Sequence, residues 1–337
     1  MTGSAEANAA RRIVAGERRA LARGITLVES TRPRDRAAAA DLVDGVLDHT
    51  GGAVRIGFTG TPGVGKSTLI DAFGLRLVEQ GLRLAVLAVD PSSNRTGGSI
   101  LGDKTRMGAL SNRPEVFIRP SPSGGLTGGI ARRTRDAMLL CEAAGFDVII
   151  IETMGVGQAE TAVADISDVF VLLVAPGGGD ELQGIKRGVM ELADVVAVNK
   201  CDGALADQAR HTAADYRHAL GLVRPKWPGL EPAVLTCSAY TGAGLDELWE
   251  AITSFHRRLR ADGRLAGLRA DQAVRQFEAE FDHTLRTRAR QVPGIEARRR
   301  ELVAAIGSGD RSPSSAAEEL TNALWAAAPT PGEPARP

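Results

Sequence analysis

One segment of the chain has residue types and spacing suited to binding a polyphosphate. Residues 60–67 read Gly-Thr-Pro-Gly-Val-Gly-Lys-Ser and fit the pattern G-x-x-x-x-G-K-[ST] in full. Glycines let several backbone N–H groups approach one phosphate chain, and a helix N-terminus adds positive potential. Lys66 is expected to reach the β- and γ-phosphates, and the Ser67 hydroxyl to coordinate Mg²⁺. The predicted nucleotide-binding residues here are Gly60, Thr61, Pro62, Gly63, Val64, Gly65, Lys66, Ser67 and Thr68.

A second motif predicts which base is bound. Asn199-Lys200-Cys201-Asp202 fits N-K-x-D and follows a β-branched run. A carboxylate at Asp202 can accept both N1–H and N2–H₂ of guanine, whereas adenine presents a lone pair at N1. Lys200 is expected to pack over the base, and Asn199 to tie this loop to the phosphate-binding segment. An ordinary strand-end turn is the alternative, but the next strand candidate is followed by further predicted guanine contacts, at Ser238, Ala239 and Tyr240.

Three carboxylates are placed where they could hold Mg²⁺ directly or through its waters. Asp90 and Glu152 each end a strand candidate, and Asp103 lies between them in the sequence. Glu152 with Gly155 matches an E-x-x-G pattern, in which the glycine N–H would meet the γ-phosphate. Gln158 is a candidate for orienting the attacking water, at a spacing unlike that of Ras-like proteins. The alternative for the carboxylates is a helix N-cap or a turn.

Residues 176–186 form a glycine-rich segment, Pro-Gly-Gly-Gly-Asp-Glu-Leu-Gln-Gly-Ile-Lys. Such a run before a helix is often only a cap. As a functional element it would be an additional switch loop, with Gln183 or Lys186 reaching the nucleotide or a partner. The candidate catalytic residues are therefore Lys66, Asp90, Asp103, Glu152 and Lys186.

The elements that must position these motifs are predicted strands. From residue 54 onward, short β-branched runs alternate with helical stretches, and most runs are apolar on both faces. The alternation predicts an α/β fold with a doubly wound, mostly parallel sheet, in which ligands lie at the carboxyl ends of the strands. The strand candidates are Val54–Thr59, Leu84–Val89, Val116–Arg119, Val148–Ile151, Val169–Val174, Val195–Val198 and Ala233–Thr236.

Four regions are predicted along the chain. Residues 1–50 read as an N-terminal helical extension, 51–258 as the P-loop domain, 259–326 as a C-terminal helical arm, and the Pro-rich residues 327–337 as a disordered tail. Within the arm, one apolar stripe has helical spacing. It could pack against a second copy of the chain or against the chain's own P-loop domain, and consists of Val274, Phe277, Phe281 and Leu285.

Composition argues against several classes of protein. Lys+Arg and Asp+Glu are both 41, so no overall field attracts the chain to nucleic acid or to an anionic membrane. Cys141, Cys201 and Cys237 are widely spaced and form no C-x-x-C pair, which argues against disulfides and zinc. The N-terminus lacks the apolar region of a secretory signal, and no apolar run approaches the length of a membrane span. We therefore expect a cytoplasmic protein.

Five strings resemble one family when they are taken together: GFTGTPGVGKSTLIDAFG, AVDPSS, IIETMGVGQAE, APGGGDELQGIKRG and VNKCDG. The chain resembles the methylmalonyl-CoA mutase-associated GTPases, the MeaB/ArgK-like G-protein chaperones, whose relatives were once called arginine/ornithine transport ATPases. They are P-loop GTPases of the signal-recognition-particle/MinD-like class. The resemblance covers residues 51–258 through specific motifs, and the helical ends only by general pattern.

The resemblance implies a GTPase that binds GTP/GDP and Mg²⁺ and forms a homodimer through its C-terminal helices. It implies binding to an adenosylcobalamin-dependent methylmalonyl-CoA mutase, with GTP gating cofactor loading and protecting the mutase. It assigns Ser67, Asp90, Asp103 and Glu152 to the metal and switch positions, and residues 177–186, with Lys186, to a third switch loop. Because the chain has no D-x-H-x-x-G motif, the cobalamin is expected to stay on the mutase.

Other functions remain open from the sequence. A kinase or transport-associated ATPase would agree with the older family label, although Asp202 argues against ATP. A nickel metallochaperone GTPase would share the class but usually carries Cys/His clusters. A nucleotide-locked dimeric scaffold would bind GTP without turning it over. A GTPase serving another acyl-CoA mutase would carry the same motifs.

Overall fold

The computed structural model describes residues 3–90, 107–122, 127–153, 159–177 and 187–327. The chain divides into two compact units, Met1–Ala273 and Val274–Pro337. The first unit contains the sheet and every predicted nucleotide motif, and the described part of the second is helical. The division into extension, P-loop domain, arm and tail stays a prediction.

The first unit is built on a seven-stranded sheet whose strands lie in the order β3-β2-β4-β1-β5-β6-β7. All of the pairings are parallel. Each strand lies where the sequence predicts one, and the predicted α/β fold with a doubly wound parallel sheet is confirmed. The strands are β1 (Val54–Gly60), β2 (Leu84–Asp90), β3 (Val116–Pro122), β4 (Val148–Thr153), β5 (Val169–Val174), β6 (Val195–Val198) and β7 (Ala233–Thr236).

Helices precede the sheet, connect its strands and follow it. None of those described is long and apolar enough to cross a membrane. In the first unit they are α1 (Gly3–Val14), α2 (Arg18–Val28), α3 (Arg36–Asp44), α4 (Lys66–Glu79), α5 (Thr127–Ala143), α6 (Ala159–Ala164), α7 (Arg187–Leu192), α8 (Ala206–Gly221) and α9 (Leu245–Ala261). Next, α10 (Arg264–Gln291) begins in the first unit and ends in the second, which also contains α11 (Ile295–Gly307) and α12 (Pro313–Ala327).

Two apolar layers cover the sheet, one on each face. Alternate side chains of β4 enter opposite layers, because successive residues of a strand point to opposite faces. Ile149 and Ile151 join the layer made with α1, α2, α3, α5 and α8. Val148 and Ile150 join the layer made with α4 and α9. The polar residues at the strand ends are therefore held on a sheet that is buried on both faces.

The amino-terminal edge of the sheet carries a buried network of charges. Arg55 forms a two-pronged ion pair with Glu142, with N–O distances of 3.0 and 2.8 Å. Asp168 accepts 2.9 and 2.7 Å hydrogen bonds from Arg269, at the start of α10, and a 3.0 Å bond from the Arg55 backbone N–H. Arg269 also donates to the carbonyl oxygen of Gly51 at 2.7 Å. The network thereby joins β1, β5, α5 and the first turns of α10.

The second unit contains a pair of helices joined by ion pairs. Glu319 of α12 is paired with both Arg298 and Arg311. Arg299 pairs with Glu296 on its own helix at 2.8 Å. The arginine run of α11 is thus largely neutralised within the unit, in agreement with a solvated helix face.

Candidate nucleotide-binding site

The phosphate-binding segment has the backbone geometry that its glycines predict. β1 ends at Gly60, and residues 61–65 form the loop before α4. A Cβ on Gly60 would lie 2.3 Å from the carbonyl oxygen of Leu173. Real Cβ atoms almost never approach another heavy atom so closely. Gly65 has a φ of +91°, and a Cβ there would lie 2.9 Å from Asn199 Nδ2. Both glycines are therefore required by close approach of neighbouring elements.

Lys66 is the first residue of α4 and is buried, with 7% of its surface exposed. Its ammonium group donates hydrogen bonds to the carbonyl oxygens of Gly60 at 2.5 Å and Thr61 at 3.2 Å. These contacts fold the side chain back over its own loop, where the phosphates of a nucleotide are expected. Carbonyl oxygens are weaker partners for an ammonium than phosphate oxygens, because the phosphate interaction is charge-assisted on both sides.

Ser67 and Glu152 meet at the carboxyl end of the sheet. The Ser67 hydroxyl donates to Glu152 Oε1 at 2.8 Å. Glu152 is only 4% exposed and lies beside Phe58 in the β1–β4 register. A hydroxyl and a carboxylate at the mouth of the phosphate loop form an all-oxygen pair of the kind that Mg²⁺ prefers. The structure thus brings together two predicted metal ligands that are far apart in the sequence.

The N-K-x-D loop after β6 contacts the phosphate-binding loop directly. Asn199 Nδ2 donates to the Val64 carbonyl oxygen at 2.9 Å, and Lys200 Nζ donates to the Gly63 carbonyl oxygen at 2.7 Å. Lys200 has a φ of +59°, a left-handed conformation that is uncommon for a residue with a side chain. The predicted tie between the base-reading loop and the phosphate loop is therefore present, and Lys200 takes part in it as well as Asn199.

The loop after β7 completes the predicted base pocket. The backbone N–H of Ala239 donates to Asn199 Oδ1 at 3.2 Å, and the Ser238 hydroxyl donates to Asp202 Oδ2. That hydroxyl also accepts the backbone N–H of Tyr240 at 3.2 Å. The Tyr240 side chain is 91% exposed. Asp202 is thus oriented by the neighbouring loop, as a carboxylate that reads one edge of guanine must be.

The remaining predicted residues are placed only in part. Pro62 and Thr68 lie exposed on the loop and on the first turn of α4. Asp90 is the last residue of β2, one position after the Val89–Thr153 pairing with β4, so it ends at the same edge as Glu152. The other predicted positions lie outside the described residues, and their roles stay predictions: Asp103, Gly155, Gln158, Gln183 and Lys186.

Two threonines at this edge were not predicted from the sequence. The hydroxyls of Thr59, in β1, and Thr153, in β4, lie 3.2 Å apart, and both residues are fully buried. The signal available in the sequence is a threonine at or next to the end of each strand, in VRIGFTG and in VIIIET. Threonine is common in strands, so its presence there does not by itself predict a contact between the two strands.

A sequence model of the family described as methylmalonyl-CoA mutase-associated GTPase MeaB matches residues 21–293. The chain belongs to this family. A putative GTPase of Caulobacter vibrioides is 54% identical over 313 residues, which cover 93% of this chain and 96% of that protein. The mouse protein named methylmalonic aciduria type A homolog, mitochondrial, is 45% identical over 329 residues, covering 93% of this chain and 78% of the mouse protein.

The fold agrees with that of a solved relative. A crystal structure titled LAO/AO transport system kinase aligns with a TM-score of 0.75 and 38% identity, covering 96% of this chain and 98% of that one. The family match extends on both sides of residues 51–258, to which the sequence motifs confined the resemblance. The predicted family and the predicted enzyme class are confirmed: the chain is a GTPase of the MeaB family, and GTP and GDP are its nucleotides.

Proposed function

We propose that this GTPase is a chaperone of an adenosylcobalamin-dependent methylmalonyl-CoA mutase, whose cofactor loading it gates and which it protects from inactivation. The observation that carries the nucleotide half of the proposal is the meeting of three loops at one edge of the sheet. Asn199 and Lys200 bond to the phosphate loop, and Ala239 bonds to Asn199. A change at the phosphates is thereby mechanically linked to the base pocket.

In the proposed hydrolysis, the oxygen of a water molecule bonds to the γ-phosphorus of GTP, and the bond from that phosphorus to the β,γ-bridging oxygen breaks. The products are GDP, inorganic phosphate and the proton released from the water. Lys66 exchanges its carbonyl partners for phosphate oxygens and offsets their charge. Asp202 accepts the N1–H and N2–H₂ of guanine, while Lys200 covers the base. Backbone N–H groups of residues 61–67 donate to the phosphates.

Mg²⁺ fits the residues at the mouth of the loop. Ser67 and Glu152 offer a hydroxyl and a buried carboxylate 2.8 Å apart, and Asp90 ends the next strand at the same edge. We assign Ser67, Asp90, Asp103 and Glu152 as the residues that would hold the ion or its waters. When bound, Mg²⁺ supplies charge neutralisation for the β- and γ-phosphates. Gly155 and Lys186 are proposed to respond to the γ-phosphate, as the E-x-x-G pattern and the glycine-rich loop suggest.

The partner half of the proposal depends on family membership. The family is described as mutase-associated, and the mouse relative takes its name from methylmalonic aciduria. A slow GTPase is suited to setting the lifetime of a conformation to which a partner protein responds. In this proposal the cobalamin remains on the mutase. The loops of the GTPase change conformation with the bound nucleotide, and the mutase responds to that change.

We also propose that the chain forms a homodimer through the apolar stripe of α10. Val274, Phe277, Phe281 and Leu285 are 59, 63, 50 and 48% exposed, and the rings of Phe277 and Phe281 stack with their centroids 6.1 Å apart. Four large apolar side chains on one face of a helix form a patch that water disfavours. A second copy of the same helix offers a complementary apolar surface.

The dimer is tested by light scattering on the full chain. Phe281→Glu places a charge in the stripe and is expected to shift the chain to a monomer. Ala279→Glu is the matched control, because this exposed position lies about 200° away round the same helix and should leave the dimer intact. Equal masses for both variants and the unmodified chain would contradict the use of this face.

The main experiment measures hydrolysis of GTP, with ATP as control, by the purified chain with and without the mutase. The proposal expects slow GTP turnover that the mutase accelerates, and no turnover of ATP. Turnover unaffected by methylmalonyl-CoA mutase would remove this partner, and other acyl-CoA mutases would then be tested. Preferential use of ATP would overturn the role of Asp202.

A further inference from the structure

The end of β4 is held from both faces of the sheet by two adjacent residues. Glu152 points into the layer of α4, as Val148 and Ile150 do, and receives the Ser67 hydroxyl at 2.8 Å. Thr153 points to the opposite face, and its hydroxyl lies 3.2 Å from that of Thr59 on the neighbouring strand. The two contacts together restrain rotation of the strand end about its own axis.

This pair of hydroxyls is not needed to fill space. Thr59 and Thr153 are 0% exposed, and each follows one member of the Phe58–Glu152 pair that ends the β1–β4 register. Valine has nearly the same shape, favours strands as strongly, and would bury a methyl group in place of each hydroxyl. What the hydroxyls add is a directional bond that fixes one strand end relative to the other. That bond is placed where β4 presents its only carboxylate.

We propose that Thr153, acting with Thr59, is a positioning residue that holds the Glu152 carboxylate against Ser67 in the geometry needed for Mg²⁺–GTP. The inference rests on the metal role of Glu152 in the proposed function. Without the bond, β4 is free to twist at its last residue, and the carboxylate spends less time beside Ser67. The affinity for Mg²⁺–GTP then falls, although both threonines are fully buried and their hydroxyls contact each other.

The test is a mutant cycle on the full chain, with Thr59→Val, Thr153→Val and the double variant. For each, the affinity for a non-hydrolysable GTP analogue is measured as a function of Mg²⁺ concentration, together with thermal stability. Loss of one buried hydrogen bond corresponds to about a 3- to 10-fold change in an equilibrium constant. Each single variant is therefore expected to need about 3- to 10-fold more Mg²⁺ for half-maximal binding.

The double variant separates positioning from simple stability. Replacing both partners with apolar groups of the same shape is nearly neutral for folding, so its stability should return to that of the unmodified chain. The Mg²⁺ requirement should nevertheless stay raised, since the directional bond is still absent. Thr153→Ser retains the hydroxyl and should bind as the unmodified chain does. Thr134→Val removes another buried hydroxyl, in α5, and should leave the Mg²⁺ requirement unchanged.

Two results would overturn the inference, and they are distinguishable. A double variant that recovers both stability and Mg²⁺ requirement would show that the threonines only support folding, while Glu152 keeps its role. An unchanged Mg²⁺ requirement in a Glu152→Gln variant would instead refute the metal role of Glu152. The proposed positioning role of Thr153 would then be refuted as well, because it depends on that metal role.

Discussion

Replacement of Arg269 by Met is expected to destabilise the first unit strongly. The guanidinium group holds both oxygens of Asp168 and also donates to the carbonyl oxygens of Gly51 and Ala53. Met is shorter than Arg, but it is flexible and keeps the apolar contacts of the Arg stem. The substitution therefore removes the charge and the hydrogen bonds while changing packing little.

The magnitude follows from the burial of the partner. The Asp168 side chain is 0% exposed and that of Arg269 is 15% exposed. Removing one member of a buried ion pair leaves an uncompensated buried charge, which costs about 3–5 kcal/mol. By contrast, the exposed pair Arg257–Glu250, at 65% and 69% exposure, is expected to contribute less than about 1 kcal/mol.

Urea denaturation measures both variants against the unmodified chain. Arg269→Met should lower the free energy of unfolding by several kcal/mol, and Arg257→Met should leave it almost unchanged. In the double variant Asp168→Asn/Arg269→Met the buried charge is gone, so part of the loss should be recovered. A single Arg269→Met variant as stable as Arg257→Met would refute the reasoning from burial.

The same pair gives a pH dependence. Burial alone raises the pKa of Asp168, but the hydrogen bonds from Arg269, the His256 ring nitrogen 3.6 Å away and the charges of Arg269 and Arg55 outweigh it and lower the pKa to about 2. Since the folded pKa lies below the unfolded value, the contribution is fully present above about pH 4 and is lost as the pH falls towards 2. The shift corresponds to about 2 kcal/mol. Asp168→Asn should remove that part of the acid dependence of unfolding.

Two further predictions concern the nucleotide site, and a third concerns the burial of Cys237. Gly60→Ala should abolish GTP binding in calorimetry, because its Cβ would lie 2.3 Å from the carbonyl oxygen of Leu173; retained affinity would mean that the loop can shift. Asp202→Asn should weaken GTP by about 100-fold, through the loss of charge-assisted hydrogen bonds, and favour xanthosine triphosphate in competition binding; unchanged GTP affinity would contradict the role of Asp202. Cys237, whose pKa is raised by burial to about 12, should resist a thiol reagent at pH 8 that labels the less buried Cys201, as mass spectrometry would show; equal labelling would contradict the buried position.

The nucleotide chemistry could be predicted from the sequence because its determinants are local. The phosphate loop and the N-K-x-D loop are each contiguous, and the glycines and the lysine act at fixed spacings from one strand end. The strands could be predicted for the same reason, since runs of β-branched residues buried on both faces are a short-range pattern. The apolar stripe of α10 could likewise be predicted from its helical spacing alone. The structure leaves its four large side chains exposed.

Only the tertiary structure decided which distant residues meet. Ser67 and Glu152 are 85 positions apart, Asn199 and Val64 are 135 apart, and Arg269 and Asp168 are 101 apart. Strand order and register place these pairs, and neither is encoded in a local pattern, because an apolar run fits several neighbours equally well. The sequence by itself therefore determined that this chain handles a guanine nucleotide. The assembled sheet determined which carboxylate lies beside the phosphate loop, which two threonine hydroxyls meet at the same edge, and which arginine fixes the start of α10 to the opposite edge.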